Sequence, residues 1–408
     1  MRGSRSQSRL IVRRRQRGAG CGSYLLLFGL IAGAAALTWT WLNRTQPVPL
    51  TAADNRLGAA FNAFMRGDLT NAISLSRQVV EDGDEKAVDV YAAAVNLLTR
   101  ALIYRSYSDY NRAADRSAAL NIASEAHVIS PSNFEITAAY ALALAVNGYP
   151  GDAAAQAENV LERRPEHTLA RTALALAYST AGSHEIALRE SQHAVESAEG
   201  LSAVDALRAL AIAYSNNGNY EAAIRAVDAA IAAQNSLIPL HFERALYALQ
   251  TGDADDATVA YFQVLTLDPS NVKARFRLCE LSSMLREHLT ALRYCSEVTD
   301  LAPGWADGWY QLGREYFLQG DFANAQENLH RCAALQTMQN VPVAERRFEC
   351  WYLQGQAAQI RGDCEALLST YNEFRAMAAD ADVQETWVYP PEGPPGCAVN
   401  GAANKYRH

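Results

Sequence analysis

The side chains able to do chemistry are seven cysteines and eight histidines. No two histidines stand three or four residues apart, the spacing that would place a metal-binding pair on one helix face. The cysteines contain no Cys-x-x-Cys, and the chain has neither a phosphate loop nor a Gly-x-Ser-x-Gly elbow. The glycines at 148, 182, 218, 252, 320 and 362 sit between apolar stretches as turns, not as a phosphate cradle. His241 reads as a satisfied or solvated histidine. The chemistry left to the six cysteines from Cys279 onward is pairing with one another, as disulfides, or filling small core positions as free thiols. No enzyme and no cofactor is expected.

The elements that must position these residues are helices. Leu207, Leu210, Ala211 and Tyr214 recur at the intervals of one helix face. Asn216-Asn217-Gly218-Asn219 ends that helix, and Ala223, Val227 and Ala230 form the inner face of a second. Residues 238–271 repeat this chemistry thirty-four residues later, with Ala245, Gly252, Ala254, Ala257, Tyr261, Val264 and Pro269. The small, aromatic, Gly and Pro positions resemble the tetratricopeptide repeat.

In that register the chain holds nine hairpins, at 53–83, 85–130, 134–167, 168–203, 204–237, 238–271, 272–305, 306–339 and 348–380. The fullest match is 306–339, and 85–130 is the least regular. Arg286 stands where 272–305 would have its turn glycine, and an insertion falls near Met338–Arg347. The expected fold class is all-α: an α-solenoid, or superhelix, of about nine such hairpins, preceded by one transmembrane helix. Each hairpin leaves an apolar face open, so stability requires stacking. The domains read as a basic segment 1–23, an anchor 24–42, a linker 43–52, the solenoid 53–380 and a Pro/Gly-rich tail 381–408.

Charge and hydropathy suggest location. Residues 1–23 carry seven arginines and no acid, so the net charge of −8 leaves −15 on residues 24–408. An acidic body argues against nucleic acid as a partner. Tyr24–Leu42 is an uncharged apolar run flanked by Arg13, Arg14, Arg15 and Arg17, with Trp39 and Trp41 at its far end. These features predict a single-pass membrane protein with a cytoplasmic N-terminus and extracytoplasmic repeats; a cleaved signal peptide is the alternative.

The resemblance implies that the first helices line a concave groove that takes a protein or peptide partner. Carried onto this chain, the groove positions are Ala138, Leu142, Leu176, Arg208, Ile212, Phe242, Leu246, Leu249, Phe276, Glu280, Tyr310, Arg314, Phe317, Tyr352 and Gln356. The middle of this set is apolar and aromatic, suited to an amphipathic helix or an extended apolar segment. A tightly wound solenoid would instead fill its own groove with the same side chains. Glu280 and Arg314 are expected to pair across adjacent repeats.

The implied function is a membrane-anchored scaffold for complex assembly. The alternatives are a secreted or periplasmic carrier enclosing a ligand, or an accessory subunit of a separate enzyme. Antiparallel packing within a hairpin sets Cys279 level with Cys295. An oxidising compartment favours 279–295, with Cys332–Cys350 and Cys364–Cys397 as further pairs.

Overall fold

The computed structural model describes residues 52–83, 88–380 and 397. Two compact units are distinguished: residues 1–55, of which only Ala52–Asn55 are described, and residues 56–408, which carry the rest of the account. The described residues form eighteen α-helices and no strand. From Leu69 onward each helix packs on the next, so that the chain forms a row of helix hairpins stacked in sequence order.

The first four hairpins comprise α1 (Ala52–Met65) with α2 (Leu69–Asp82), α3 (Val88–Ser106) with α4 (Ala114–Ile129), α5 (Phe134–Val146) with α6 (Pro150–Arg163), and α7 (Thr168–Thr180) with α8 (His184–Glu196). The next three are α9 (Gly200–Asn216) with α10 (Tyr220–Ala233), α11 (Ile238–Gln250) with α12 (Ala254–Leu267), and α13 (Val272–Met284) with α14 (His288–Leu301). The last two are α15 (Ala306–Leu318) with α16 (Phe322–Met338), and α17 (Glu349–Arg361) with α18 (Cys364–Asp380). The insertion before α17 is taken up by a lengthened α16 and one 3₁₀ turn, Val343–Glu345.

A two-residue device separates the helices of most hairpins. A residue in the left-handed conformation closes the first helix, and its Asp or Asn successor caps the second. Asp68, Asn219, Asp253, Asp321 and Asp363 each accept a hydrogen bond from a backbone N–H three residues on. Such caps each contribute about 1 kcal/mol. Arg286 adopts the same backbone, φ 62°, so the turn survives without glycine.

Alanine sets the spacing. Ala211, Ala223 and Ala230 are fully buried, as are Ala138, Ala141, Ala170 and Ala173 on neighbouring helices. Methyl-sized side chains bring helix backbones close together. Gly313 takes this furthest, since a Cβ there would stand 2.7 Å from Leu329 Cγ on α16.

The close stacking winds the superhelix until early loops meet late ones. Gln234 donates to the carbonyl of Phe64 at 3.0 Å, and a Cβ on Gly67 would lie 2.6 Å from the Ser236 carbonyl oxygen. Farther along, Asn271 donates to the Ser108 carbonyl at 2.9 Å, and Tyr110 stacks on Trp305 with centroids 4.5 Å apart.

Three disulfides join cysteines of the last three hairpins to one another or to Cys397. Cys279 joins Cys295 across one hairpin, with Cα atoms 5.3 Å apart. Cys332 joins Cys350 between two hairpins at 6.0 Å, and Cys364 holds Cys397 at 5.4 Å.

The expected single-pass localisation and its transmembrane helix require correction. Among the described residues no helix is long and apolar enough to cross a membrane. The longest, α3, carries Asp89, Asn96, Arg100 and Arg105, and charges are expensive to place in hydrocarbon. The run 24–42, on which that expectation rested, lies outside the described residues.

Candidate binding cleft

The inner face of the solenoid divides into a filled half and an open half. In the filled half, α3, α9 and α11 contribute a buried chain of charges. Arg100 pairs with Asp205, whose other oxygen accepts from the Tyr104 hydroxyl at 2.7 Å. Arg208 pairs with Glu243 at 2.6 Å and lies over the rings of Tyr104 and Tyr107. Burial opposes the Arg208 charge most strongly, but the Glu243 carboxylate together with Tyr104 and Tyr107 outweighs it and holds the guanidinium above its usual range. Desolvation and the Asp205 carboxylate push the Tyr104 hydroxyl up, so it remains a donor. The residual cavity here is about 10 Å³, room for about one water at most. Ala138, Leu142 and Leu176 are core in the same half.

The open half is a cleft of about 600 Å³ whose lining comes chiefly from α11, α13 and α15. Phe242, Leu246, Leu249, Glu280, Tyr310 and Arg314 meet there. Leu246 is 50% exposed and Met284 66%. The far wall is Tyr107, delivered from the loop after α3.

The other expected groove residues go elsewhere. Arg208 and Ile212 border a separate hollow of about 260 Å³ beside Leu176. Phe276 packs on Trp305 with centroids 4.7 Å apart. Phe317 meets Phe322 edge-on at 5.3 Å. Tyr352 is half-buried in the terminal core and accepts a hydrogen bond from Gln356. Nor do Glu280 and Arg314 form the expected pair. Glu280 accepts from Arg277, one turn earlier on its own helix, and Arg314 reaches Ser283 and the buried carboxylate of Glu315.

Lys273, Arg277, Tyr107 and Met284 join the cleft without having been anticipated. Lys273 donates its backbone N–H to Asp109 and its Nζ to the Tyr107 carbonyl, and Nζ lies 4.3 Å from the centre of the Phe242 ring. Desolvation pushes this ammonium down to about 8; Arg277 and Arg116 add to the shift, while Asp109 and Glu243 oppose it. A usable signal was the scarcity of lysine, since three of the thirty-six cations are Lys. Tyr107 carried none, because Lys273, its partner in the cleft, is 166 residues away.

Among the described residues no group of three or more His, Cys, Asp or Glu side chains could hold a metal ion.

No curated protein matches the sequence. Among solved structures, the C-terminal part of a TPR repeat-containing protein from Cytophaga hutchinsonii superposes with a TM-score of 0.50 at 13% identity, covering 60% of this chain and 96% of that one. The Cut9–Hcn1 hetero-tetramer of the APC/C gives 0.45 at 14% identity, covering 80% and 74%. A human IFIT1 dimer with m7Gppp-AAAA gives 0.48 at 13%, covering 79% and 81%. At such identities the likeness concerns fold alone. Two family models, each described as tetratricopeptide repeat, match residues 208–272 and 306–336. Residues 208–272 and 306–336 are therefore tetratricopeptide repeats, set within an all-helical stack of hairpins.

Proposed function

We propose that this chain is a scaffold that holds an apolar segment of a protein partner in the cleft formed by α11, α13 and α15. The observation that carries this reading is the exposure of Leu246 and Met284 beside Phe242 and Tyr310 in one cleft. Clustered apolar side chains at a concave surface lower the free energy of a partner that covers them. The carrier reading finds less support, because the space between Arg100, Asp205 and Arg208 has closed to about 10 Å³. Selection from a displayed library of amphipathic peptides tests the proposal. The chain should enrich binders that the L246D/M284D variant, with unchanged helicity, fails to retain. Equal enrichment on both would refute it.

A further inference from the structure

Lysine is rare in this protein, and its placement is informative. Of thirty-six cationic residues, Lys86, Lys273 and Lys405 are the lysines and the other thirty-three are arginines. Lys86 and Lys405 lie outside the described residues, whereas Lys273 lines the cleft. Arginine serves as well for charge and better for bidentate pairing, but its guanidinium does not lose a proton in proteins. A lysine amine does, and then carries a nucleophilic lone pair.

The surroundings of Lys273 suit that use rather than an ion pair. No carboxylate lies in ion-pair range of Nζ among the described residues, although fourteen such pairs involve arginines. Its contacts are a backbone carbonyl, Tyr107 O at 2.7 Å, and the face of Phe242. Together they hold the amine at the cleft wall and leave it two further N–H positions when protonated. Arg277 is occupied by Glu280, and Arg314 by Ser283 and Glu315. Arg277 and Arg116 add positive potential beside the amine and disfavour a further positive charge there.

We propose that Lys273 is a carbonyl-capturing site, at which its ε-amine condenses with an aromatic or aliphatic aldehyde seated in the cleft. The nitrogen lone pair forms a C–N bond to the carbonyl carbon, and one N–H proton passes to the oxygen to give a carbinolamine. The hydroxyl then leaves with the second N–H proton as water, and a C=N bond remains. Nothing is oxidised or reduced. The apolar part of the lining, Phe242, Leu246, Leu249, Met284 and Tyr310, matches the carbon skeleton of such a compound, and a volume of about 600 Å³ falls within the roughly 300–1,000 Å³ usual for small-molecule sites. The depressed ammonium, at about 8, supplies free amine near neutral pH. At pH 8 an ordinary lysine is neutral at only about 0.4%. This site does not depend on a protein segment occupying the cleft.

Limiting 4-methoxybenzaldehyde with cyanoborohydride, followed by peptide mapping of the full chain, tests the assignment. At pH 8, Lys273 should be labelled at least about tenfold faster than Lys86 and Lys405, because its free-amine fraction is about a hundredfold larger and only part of that is lost to weaker nucleophilicity. Its rate should rise through a midpoint near 8, while the other two continue to rise toward about 10.4. K273R should abolish the fast site without changing helicity. Even labelling of the three lysines, or labelling of Lys273 only in urea, would overturn the proposal. Because no peptide is present, this outcome is independent of the library selection.

Discussion

Lys273 donates its Nζ to the backbone oxygen of Tyr107, a residue 166 positions earlier, at 2.7 Å. This bond joins the seventh hairpin to the second and creates the far wall of the cleft. Asn271 to Ser108 and the Lys273 backbone N–H to Asp109 reinforce the same junction, at 2.9 Å each. Wall and floor of the cleft therefore come from hairpins that are distant along the solenoid and adjacent only through its winding.

The pH dependence of this junction follows from the lowered Lys273 ammonium. The folded state binds fewer protons than the unfolded chain between about 8, where folded Lys273 titrates, and about 10.4. The cost of burying the charge is therefore present below pH 8 and is relieved as pH rises. Relative to K273M, the wild type should gain up to about 2 kcal/mol between pH 8 and 9.5. Urea unfolding across that range measures it, and parallel curves for the two proteins would contradict it.

Removing one partner of the buried charge chain should be costly. Asp205→Ala leaves Arg100 and the Tyr104 hydroxyl without their shared acceptor in a site where all three are buried. A loss of about 3–5 kcal/mol is expected in chemical unfolding. An unchanged midpoint would mean that water reaches Arg100.

Helix spacing can be probed at Gly313. Gly313→Ala places a methyl against Leu329 on α16, and overpacking of this kind costs about 1–3 kcal/mol. The combined loss in Gly313→Ala with Leu329→Ala should be smaller than the sum of the two single losses. Thermal melts of the single and double variants decide the matter.

The cleft and the core should separate by mutation. Phe242→Ala removes a side chain that is 9% exposed and should cost about 3 kcal/mol or more. Leu246→Ser, at a half-exposed position on the same helix, should stay within about 0.5 kcal/mol. Equal losses would place Leu246 in the core.

Reduction of the three disulfides should lower stability by about 2–4 kcal/mol for each bridge. Non-reducing peptide mapping should recover 279–295, 332–350 and 364–397 as linked peptides. Six alkylatable thiols in native protein would remove this contribution.

Local patterns in the sequence determine the helices and their order. The spacing of Leu207, Leu210, Ala211 and Tyr214, the Asn216–Asn219 break and its recurrence thirty-four residues on are short-range signals. Each is read within one hairpin, where helical geometry fixes which residues share a face. The level placement of Cys279 and Cys295 follows from the same antiparallel geometry.

How far the superhelix winds was not available from those patterns. That quantity accumulates small rotations set by Ala–Ala and Gly–Leu contacts over successive hairpins, and a slight change in each alters which distant loops meet. The tertiary structure alone therefore decides that Arg208 is buried under Tyr107, that Leu246 stays open and that Lys273 faces the cleft. Phe276 and Phe317 held positions equivalent to these in the repeat, yet local aromatic neighbours, Trp305 and Phe322, drew them away. Side chains of one type at equivalent repeat positions are distinguished by their neighbours in space, and those are supplied by hairpins a turn of the superhelix away.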